Sequence, residues 1–410
     1  MPVPPLQESV LTAESTADLV AIYEHLHAHP ELSFQENRTA DYITEKLAGS
    51  GLTTHRVGPT GVVGVLANGA GPVIAYRADM DGLPVREQTS LPYASTATAM
   101  LNGSEVPVMH ACGHDVHMAV ALKTAEHLAE SRSLWSGTAL FIFQPAEEIA
   151  AGAKAMVEDG LWDRFPRPDV ILGQHVMPYE TGKVYFPVGP AMSVADSWKI
   201  TIHGKGAHGS QPEESIDPIV LGSSIVLRLQ TIVSREISPR DIAVVTVGTF
   251  HAGLKENIIP DTAELTVNIR TFTPEVRSAV LAAIRRIVSA EARAAAAPEP
   301  DIEVISEFPP CHNDPDTTRE TMAAAGQALG QENVLESQPH MASEDFGYLG
   351  QAIGVPTVFW FLGGTASETV TASNVPVNHS PHFAPVPIPT LTTGVSTAVA
   401  AMLGRFTRQK

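Results

Sequence analysis

The sequence predicts an α/β protein: a doubly wound, mostly parallel sheet domain into which a small ferredoxin-like α+β domain is inserted. Three observations predict it. Short, continuous apolar runs alternate with helical stretches over the first 190 residues, the pattern of a parallel sheet covered on both faces. Near Ala191 the texture changes to strands with clean in–out alternation, in the order β-α-β-β-α-β. After about Phe308 the helix–strand rhythm resumes and includes the buried run TVFWFL (357–362). The predicted organisation is therefore a discontinuous α/β domain, 1–190 plus 305–410, with a small domain inserted at 191–304.

Taken in order, residues 17–50 carry helical apolar spacing, broken by Pro30. VVGVLA (62–67) and VIAY (73–76) read as strands, 115–130 as a helix, and ALFIF (139–143) as a strand. AAGAKAMVEDG follows as a helix closed by Gly160, and VILGQHV (170–176) as a buried strand ending near His175. In the inserted segment, WKITIHG alternates, 217–234 is helical, 242–250 and 263–272 are strands, 275–296 is helical, and DIEVI (301–305) adds a last strand.

The chain has 410 residues and a formal charge of −19, which argues against a nucleic-acid partner and against an anionic membrane surface. No run approaches the length of a membrane span. The start, MPVPPLQESVLTAEST, lacks a basic segment followed by an apolar one, so the expectation is a soluble cytoplasmic protein. Two cysteines, Cys112 and Cys311, are too few for a disulfide framework.

In open α/β sheets, ligands bind beyond the carboxyl ends of the strands. Those ends carry an unusual set of residues: Asp79 and Asp81 after VIAY, Glu147 and Glu148 after ALFIF, His175 in VILGQHV, and His379 or His382 after TVFWFL. Cys112 and His114 flank Gly113, which lets the chain turn tightly enough for both side chains to face one point. Thiolate and imidazole suit zinc and its borderline-soft neighbours. Of the adjacent carboxylates, one can bind metal while the other faces a water; the plain alternative is a solvated helix start. His25, His27 and His29 read as a solvated or structural helix face. GKGAHG (204–209) fits GxGxxG, but Pro212 interrupts where a nucleotide-binding helix would open, so a dinucleotide site is rejected. No HExxH, GxSxG or Walker loop occurs.

The segments HAHPELSFQE (27–36), RADMDGLP (77–84), MHACGHDVHMA (109–119), FQPAEE (143–148), GQHV (173–176), GKGAHGSQP (204–212), NIIPD (257–261), MASEDF (341–346) and NHSPHF (378–383) run in order along nearly the whole chain. On these segments the chain resembles the zinc-dependent aminoacylase and carboxypeptidase superfamily, in the branch of hippurate hydrolases, auxin-conjugate hydrolases and bacterial N-acyl-amino-acid amidohydrolases. The resemblance implies hydrolysis of the amide bond of N-acyl amino acids, with a dipeptidase or carboxypeptidase using the same site as the alternative. It implies two divalent metal ions, zinc or else manganese, cobalt or nickel, on Cys112, His114, Glu148, His175 and His379, with Glu147 as general base. It places His208, Asn257 and Arg270 in the lid as substrate contacts, His208 steadying the oxyanion, and implies a homodimer through the lid. Relatives outside this branch place a metal-binding His where this chain has Arg77, and the resemblance leaves Asp79 as an orienter of a ligand.

Overall fold

The computed structural model describes residues 11–372 and 374–407. Residues 1–10, on which much of the leader reading rests, lie outside the described residues. The chain divides into two compact units: Met1–Ala191 with Cys311–Pro339 and Asp345–Lys410, and Met192–Pro310 with His340–Glu344.

The first unit is built on an eight-stranded sheet. Its strands run, edge to edge, Thr53–Val57, Gly61–Asn68, Gly137–Gln144, Val73–Asp79, Val170–Glu180, Thr357–Thr365, Val184–Pro187 and Val334–Ser337. The central pairings, 137–144 with 73–79, 73–79 with 170–180, and 170–180 with 357–365, are parallel. Antiparallel pairs join 53–57 to 61–68, 61–68 to 137–144, and 357–365 to 184–187. The mostly parallel α/β sheet expected from the apolar runs is thus present, with antiparallel pairs toward its margins. Those runs are continuous because both faces are covered: every residue of Val170–Met177 and of Thr357–Gly364 is buried.

The helix His114–Glu130 is buried all round from His114 through Ala125. It packs against the 73–79 and 170–180 strands and between the helices Ala13–Ala28 and Pro387–Phe406. Burial locks its N-terminus beside the carboxyl ends of the parallel strands. The register pairs Asp79 with Gln144, so the two strands end level and the chain emerges side by side into Met80–Asp81 and Pro145–Glu148. His175 does not end its strand as expected. The strand continues to Glu180, with His175 opposite Phe361, but its pairing with 73–79 stops at Gly173. From there on, one edge of the strand faces the site.

The second unit is a four-stranded antiparallel sheet in the order Ala243–Ala252, Thr262–Thr271, Val194–His203, Asp301–Phe308. Trp198, Ile200 and Ile202 alternate into a core shared with Leu221, Ile225 and Leu229 of the helix Pro218–Thr231, and with Val280, Ile284 and Ile287 of the helix Pro274–Ala294. This is the ferredoxin-like arrangement. Its last strand runs to Phe308, and the segment 340–344 joins it through Ser193 N–H to Ala342 O (2.9 Å), so the unit is larger than the predicted 191–304. The strand is an exposed edge without a full apolar pattern, and 340–344 is a distant loop; neither carries a periodic signal.

Candidate active site

Gly113 opens the central helix in the left-handed region at φ 86°. A Cβ there would stand 2.3 Å from Val176 Cγ1, so only glycine lets Cys112 and His114 approach the 170–180 strand this closely. Cys112 Sγ lies 3.4 Å from His175 Nε2. One donor atom each from Cys112, His114 and Glu148 fall within 4.8 Å of one another. His379 Nε2 stands 3.4 Å from Glu148 Oε2, and His114 Nε2 is 4.0 Å from Glu147 Oε2. All six residues that the sequence reading gave to the metals and the base are therefore in one place. His382, the reserve for His379, is turned away and donates from Nδ1 to Gln88 O (2.9 Å).

Hydrogen bonds fix which ring nitrogens are available. His175 Nδ1 faces Val176 O at 2.8 Å and so carries the proton, leaving Nε2 as a lone pair toward Cys112. His117 behaves oppositely. Val176 N–H donates to its Nε2 (2.8 Å) and its Nδ1 donates to Asp79 Oδ1 (2.5 Å), so its lone pair is already used. His117 stands with Asp79, His114 and His175 in a tight buried group, yet it supports the strand rather than offering a ligand. Asp79 therefore orients His117 directly. The sequence reading missed His117; the signal was its position three residues after His114, on the same helix face.

The site is strongly anionic. Burial opposes a charge on His114, but Asp79, Asp81 and Glu148 raise its pKa to about 10. Burial, then Glu148, Glu147 and Asp79, push the Cys112 thiol far up. Among the described residues, His114 Nε2 and Glu148 Oε1 are buried without hydrogen-bond partners, while His114 Nδ1 faces Asp81 Oδ1 at 3.3 Å. Buried polar atoms are ordinarily paired, so convergent orphan atoms on an S/N/O donor set in a negative field fit a divalent cation.

Around this cluster are groups to which the sequence reading gave no role in the site. Asp81 accepts from the amides of Glu147 (3.2 Å) and Glu148 (3.1 Å) and from Ser33 Oγ (2.7 Å), while facing His114 Nδ1 at 3.3 Å. Asn378 donates to Cys112 O and Val176 O, both at 3.1 Å, and ties the His379 loop to the other ligand segments. Arg77 is buried and donates to Gln144 Oε1 (2.9 Å), Asp79 Oδ2 (2.7 Å) and Asp345 Oδ1 (3.3 Å). His27, read as a helix-face residue, is instead buried between Asp115 Oδ2 (2.6 Å) and Glu87 Oε1 (2.9 Å).

His208, Asn257 and Arg270 belong to the second unit. His208 and Asn257 are brought together: the strand 207–208 pairs with 258–259, and Gly209 N–H donates to Asn257 O (2.8 Å). His208 is exposed, with Nδ1 on Ser210 Oγ (2.7 Å). The glycines of GKGAHG lead into this two-residue strand and not into a helix, in keeping with the rejection of a dinucleotide site. Arg270 lies on another strand, with Nη1 on Met341 O (2.7 Å) and Ser343 Oγ (3.2 Å) and Nε on Asn268 Oδ1 (3.1 Å).

Among the described residues, no helix is long and apolar enough to cross a membrane. The profile of peptidase family M20/M25/M40 matches residues 75–403. The chain is 39% identical over 335 residues to hippurate hydrolase of Campylobacter jejuni, covering 80% of this chain and 83% of that protein. It is 39% identical over 351 residues to the N-acetyl-L-cysteine deacetylase of Bacillus subtilis, covering 84% and 80%. A dinuclear metal-binding peptidase of the M20 family from Bacillus subtilis, known from its crystal structure, superposes with a TM-score of 0.77 at 32% identity, covering 96% of this chain and 98% of that one. With the donor cluster at the strand ends and these matches over most of its length, the chain belongs to peptidase family M20/M25/M40 and is a metal-binding hydrolase of amide bonds.

Proposed function

We propose that this hydrolase cleaves N-acyl amino acids to a carboxylic acid and a free amino acid, with two divalent ions held by Cys112, His114, Glu148, His175 and His379. The observation that carries the reading is the orphaned, convergent pair His114 Nε2 and Glu148 Oε1 beside Cys112 and the adjacent Glu147. When bound, the ions supply Lewis-acid charge that acidifies a water and polarises a carbonyl. Glu147 takes the proton from that water and delivers it to the leaving amine. Its amide, held by Asp81, fixes where the carboxylate starts from. His208 steadies the oxyanion, an effect of about 2.7–4 kcal/mol for donors of this kind. Asn257 and Arg270 receive the amino acid's carboxylate. The metal is zinc, with manganese, cobalt or nickel as alternatives for this donor set.

A thiol mechanism through Cys112 is disfavoured, because burial and neighbouring carboxylates raise its pKa, whereas nucleophilic cysteines sit in electropositive surroundings. The proposed setting is cytoplasmic, since two cysteines are too few for a disulfide framework. The protein acts as a homodimer through its small domain. Among the described residues the 243–252 strand is paired on one side only, and the neighbouring helix exposes Val220 (67%) and Leu227 (71%). Sedimentation of the wild type as a monomer at micromolar concentration refutes that assembly.

The test of the reaction assays N-acetyl, N-benzoyl and N-lauroyl amino acids and one dipeptide, before and after chelation and metal add-back, beside Glu147→Gln. Loss on chelation, recovery with metal, and a metal-binding but inactive Glu147→Gln are expected. Turnover that survives chelation, or a fully active Glu147→Gln, overturns the mechanism; preference for the dipeptide over every acyl amino acid moves the substrate class.

A further inference from the structure

The turn that carries Glu147 and Glu148 is held in an unusual way. Ala146 and Ala150 both lie in the left-handed region, at φ 50° and 55°, where an L-residue with a side chain is strained. Ala146 is the pivot. Its carbonyl accepts from Ala151 N–H (3.2 Å) and Gly152 N–H (3.1 Å), closing the turn on itself. Its own N–H donates to Glu36 Oε1 (2.9 Å). The next two amides, of Glu147 and Glu148, donate to the two oxygens of Asp81. Three consecutive amides are therefore received by two buried carboxylates from distant parts of the chain. Glu36 is completely buried, and its second oxygen accepts from Thr60 Oγ1 (2.6 Å) on the loop ahead of the 61–68 strand.

We propose that Glu36 is a positioning residue of the amide hydrolysis: by holding Ala146 N–H in its left-handed pose it sets the direction in which Glu147 and Glu148 leave the turn. This rests on the reading of Glu147 as base and Glu148 as ligand. Packing alone does not account for a carboxylate here. Burial and, second, the charge of Asp81 raise its pKa to about 7, so a neutral side chain would occupy the site at lower cost. What the carboxylate adds is two acceptor oxygens with fixed geometry, one for the strained amide and one for an anchor outside the turn. Among the described residues, Ala146 N–H donates to Glu36 Oε1 and to no other acceptor, so deleting Glu36 leaves a buried donor unsatisfied in a strained turn.

The experiment compares wild type, Glu36→Ala, Glu36→Gln, Thr60→Val and Glu147→Gln in three measurements: kcat and KM, the affinity for cobalt(II) by chelator competition, and the visible spectrum of the cobalt-loaded proteins. Glu36→Ala is expected to lower kcat by about 100-fold with KM changed less than about twofold, the scale of a base displaced by about 1 Å. It is also expected to weaken cobalt affinity by about 10-fold, as loss of a group behind a ligand does, and to shift the spectrum. Glu36→Gln keeps an acceptor for Ala146 N–H and is expected within about fivefold of wild type. Thr60→Val frees only the second oxygen and should lower kcat by about 3–10-fold at unchanged KM, intermediate between the two. It decides the matter if Glu36→Ala does not fold. Wild-type kcat and cobalt affinity in Glu36→Ala, or in Thr60→Val where Glu36→Ala is unfolded, overturn the inference. So does a loss that tracks only the folded fraction while the spectrum of the folded protein is unchanged. If Glu147→Gln is dead and Glu36→Ala is normal, only this inference falls; if Glu147→Gln turns over normally, the reading beneath it falls.

Discussion

Replacing His27 by glutamine should make the stability of the large unit less dependent on pH. His27 is buried between Asp115 and Glu87, and the hydrogen bonds and charges of these two carboxylates outweigh the burial that opposes its charge, raising its pKa to about 10. Below about pH 6.5, the ordinary imidazole value, both folded and unfolded chains hold the proton and the pairing contributes in full. Between about 6.5 and 10 the unfolded chain releases its proton while the folded one keeps it, so the contribution falls as pH rises; above about 10 it is gone. At about 1.36 kcal/mol per pH unit the gap bounds the effect at ~5 kcal/mol, and relaxation around buried charges brings the expectation to ~2–3 kcal/mol. The assay is urea unfolding of the metal-free proteins from pH 5.5 to 9.5 by tryptophan fluorescence, since Trp135, Trp162 and Trp360 lie in the large unit and only Trp198 in the small one. The variant should trail wild type by ~2–3 kcal/mol at pH 6 and by less than ~1 kcal/mol at pH 9.5. A gap that is constant, or that widens with pH, refutes the argument. Activity should suffer as well. Asp115 adjoins His114, and Glu87 adjoins Gln88, which bonds Pro381 O through its amide (2.8 Å) and His382 through its carbonyl (2.9 Å), so one clamp serves both the His114 and the His379 segments.

Gly113→Ala places a Cβ 2.3 Å from Val176 Cγ1 at φ 86°, and the left-handed penalty plus overpacking should cost ~2–4 kcal/mol. Because Cys112 and His114 flank it, chelator competition should also show metal affinity weaker by at least about 10-fold; unchanged affinity in folded variant contradicts the close-approach argument. Arg77→Met leaves Asp79 and Asp345 buried without their guanidinium, a loss of ~3–5 kcal/mol at neutral pH. Burial raises Asp345 to about 6 even beside Arg77, so acidification neutralises it first and should narrow the gap as pH falls through about 6; thermal unfolding at pH 5 and 7.5 checks this, and an equal gap at both refutes it.

What could be read from the sequence divides along physical lines. The central strands were legible because burial on both faces writes continuous apolar runs such as 170–176 and 357–362. The strand Thr53–Val57, with only its last residue buried, and the four-residue strands 184–187 and 334–337 carry too little pattern to be seen. The small domain was legible through alternation: Trp198, Ile200 and Ile202 face the helices while Ser197, Lys199 and Thr201 do not. In the site, the donor types near strand ends, above all Cys112, Gly113 and His114 together, announce metal chemistry from the sequence. The supporting groups did not announce themselves. Glu36 sits immediately before the helix Asn37–Gly49 with no chemical signal of its own; Asp81 stands among the strand-end donors with nothing in the sequence to give it a role; His27 reads as a helix-face histidine.

The reason lies in where the strain is. Gly113 (φ 86°), Ala146 (50°), Ala150 (55°) and His379 (70°) all depart from the ordinary L-residue backbone, and all lie in or beside segments carrying candidate ligands or the base. Glycine at 113 removes the penalty locally and is therefore visible in the sequence. Alanine and histidine leave it standing, so something else must hold those turns. Local hydrogen bonds do part of it, as Ala150 N–H does to Glu147 O (2.8 Å). The rest comes from far away in the chain: Glu36 for Ala146, Ala111 O for His379 N–H (2.8 Å), and Asn378 bridging Cys112 and Val176. A carboxylate or amide that acts on a backbone N–H or C=O more than a hundred residues away leaves no spacing and no partner side chain to recognise. Residues that touch the reaction are thus recognisable by their chemistry, whereas those that aim them are recognisable only by the strained backbone they hold.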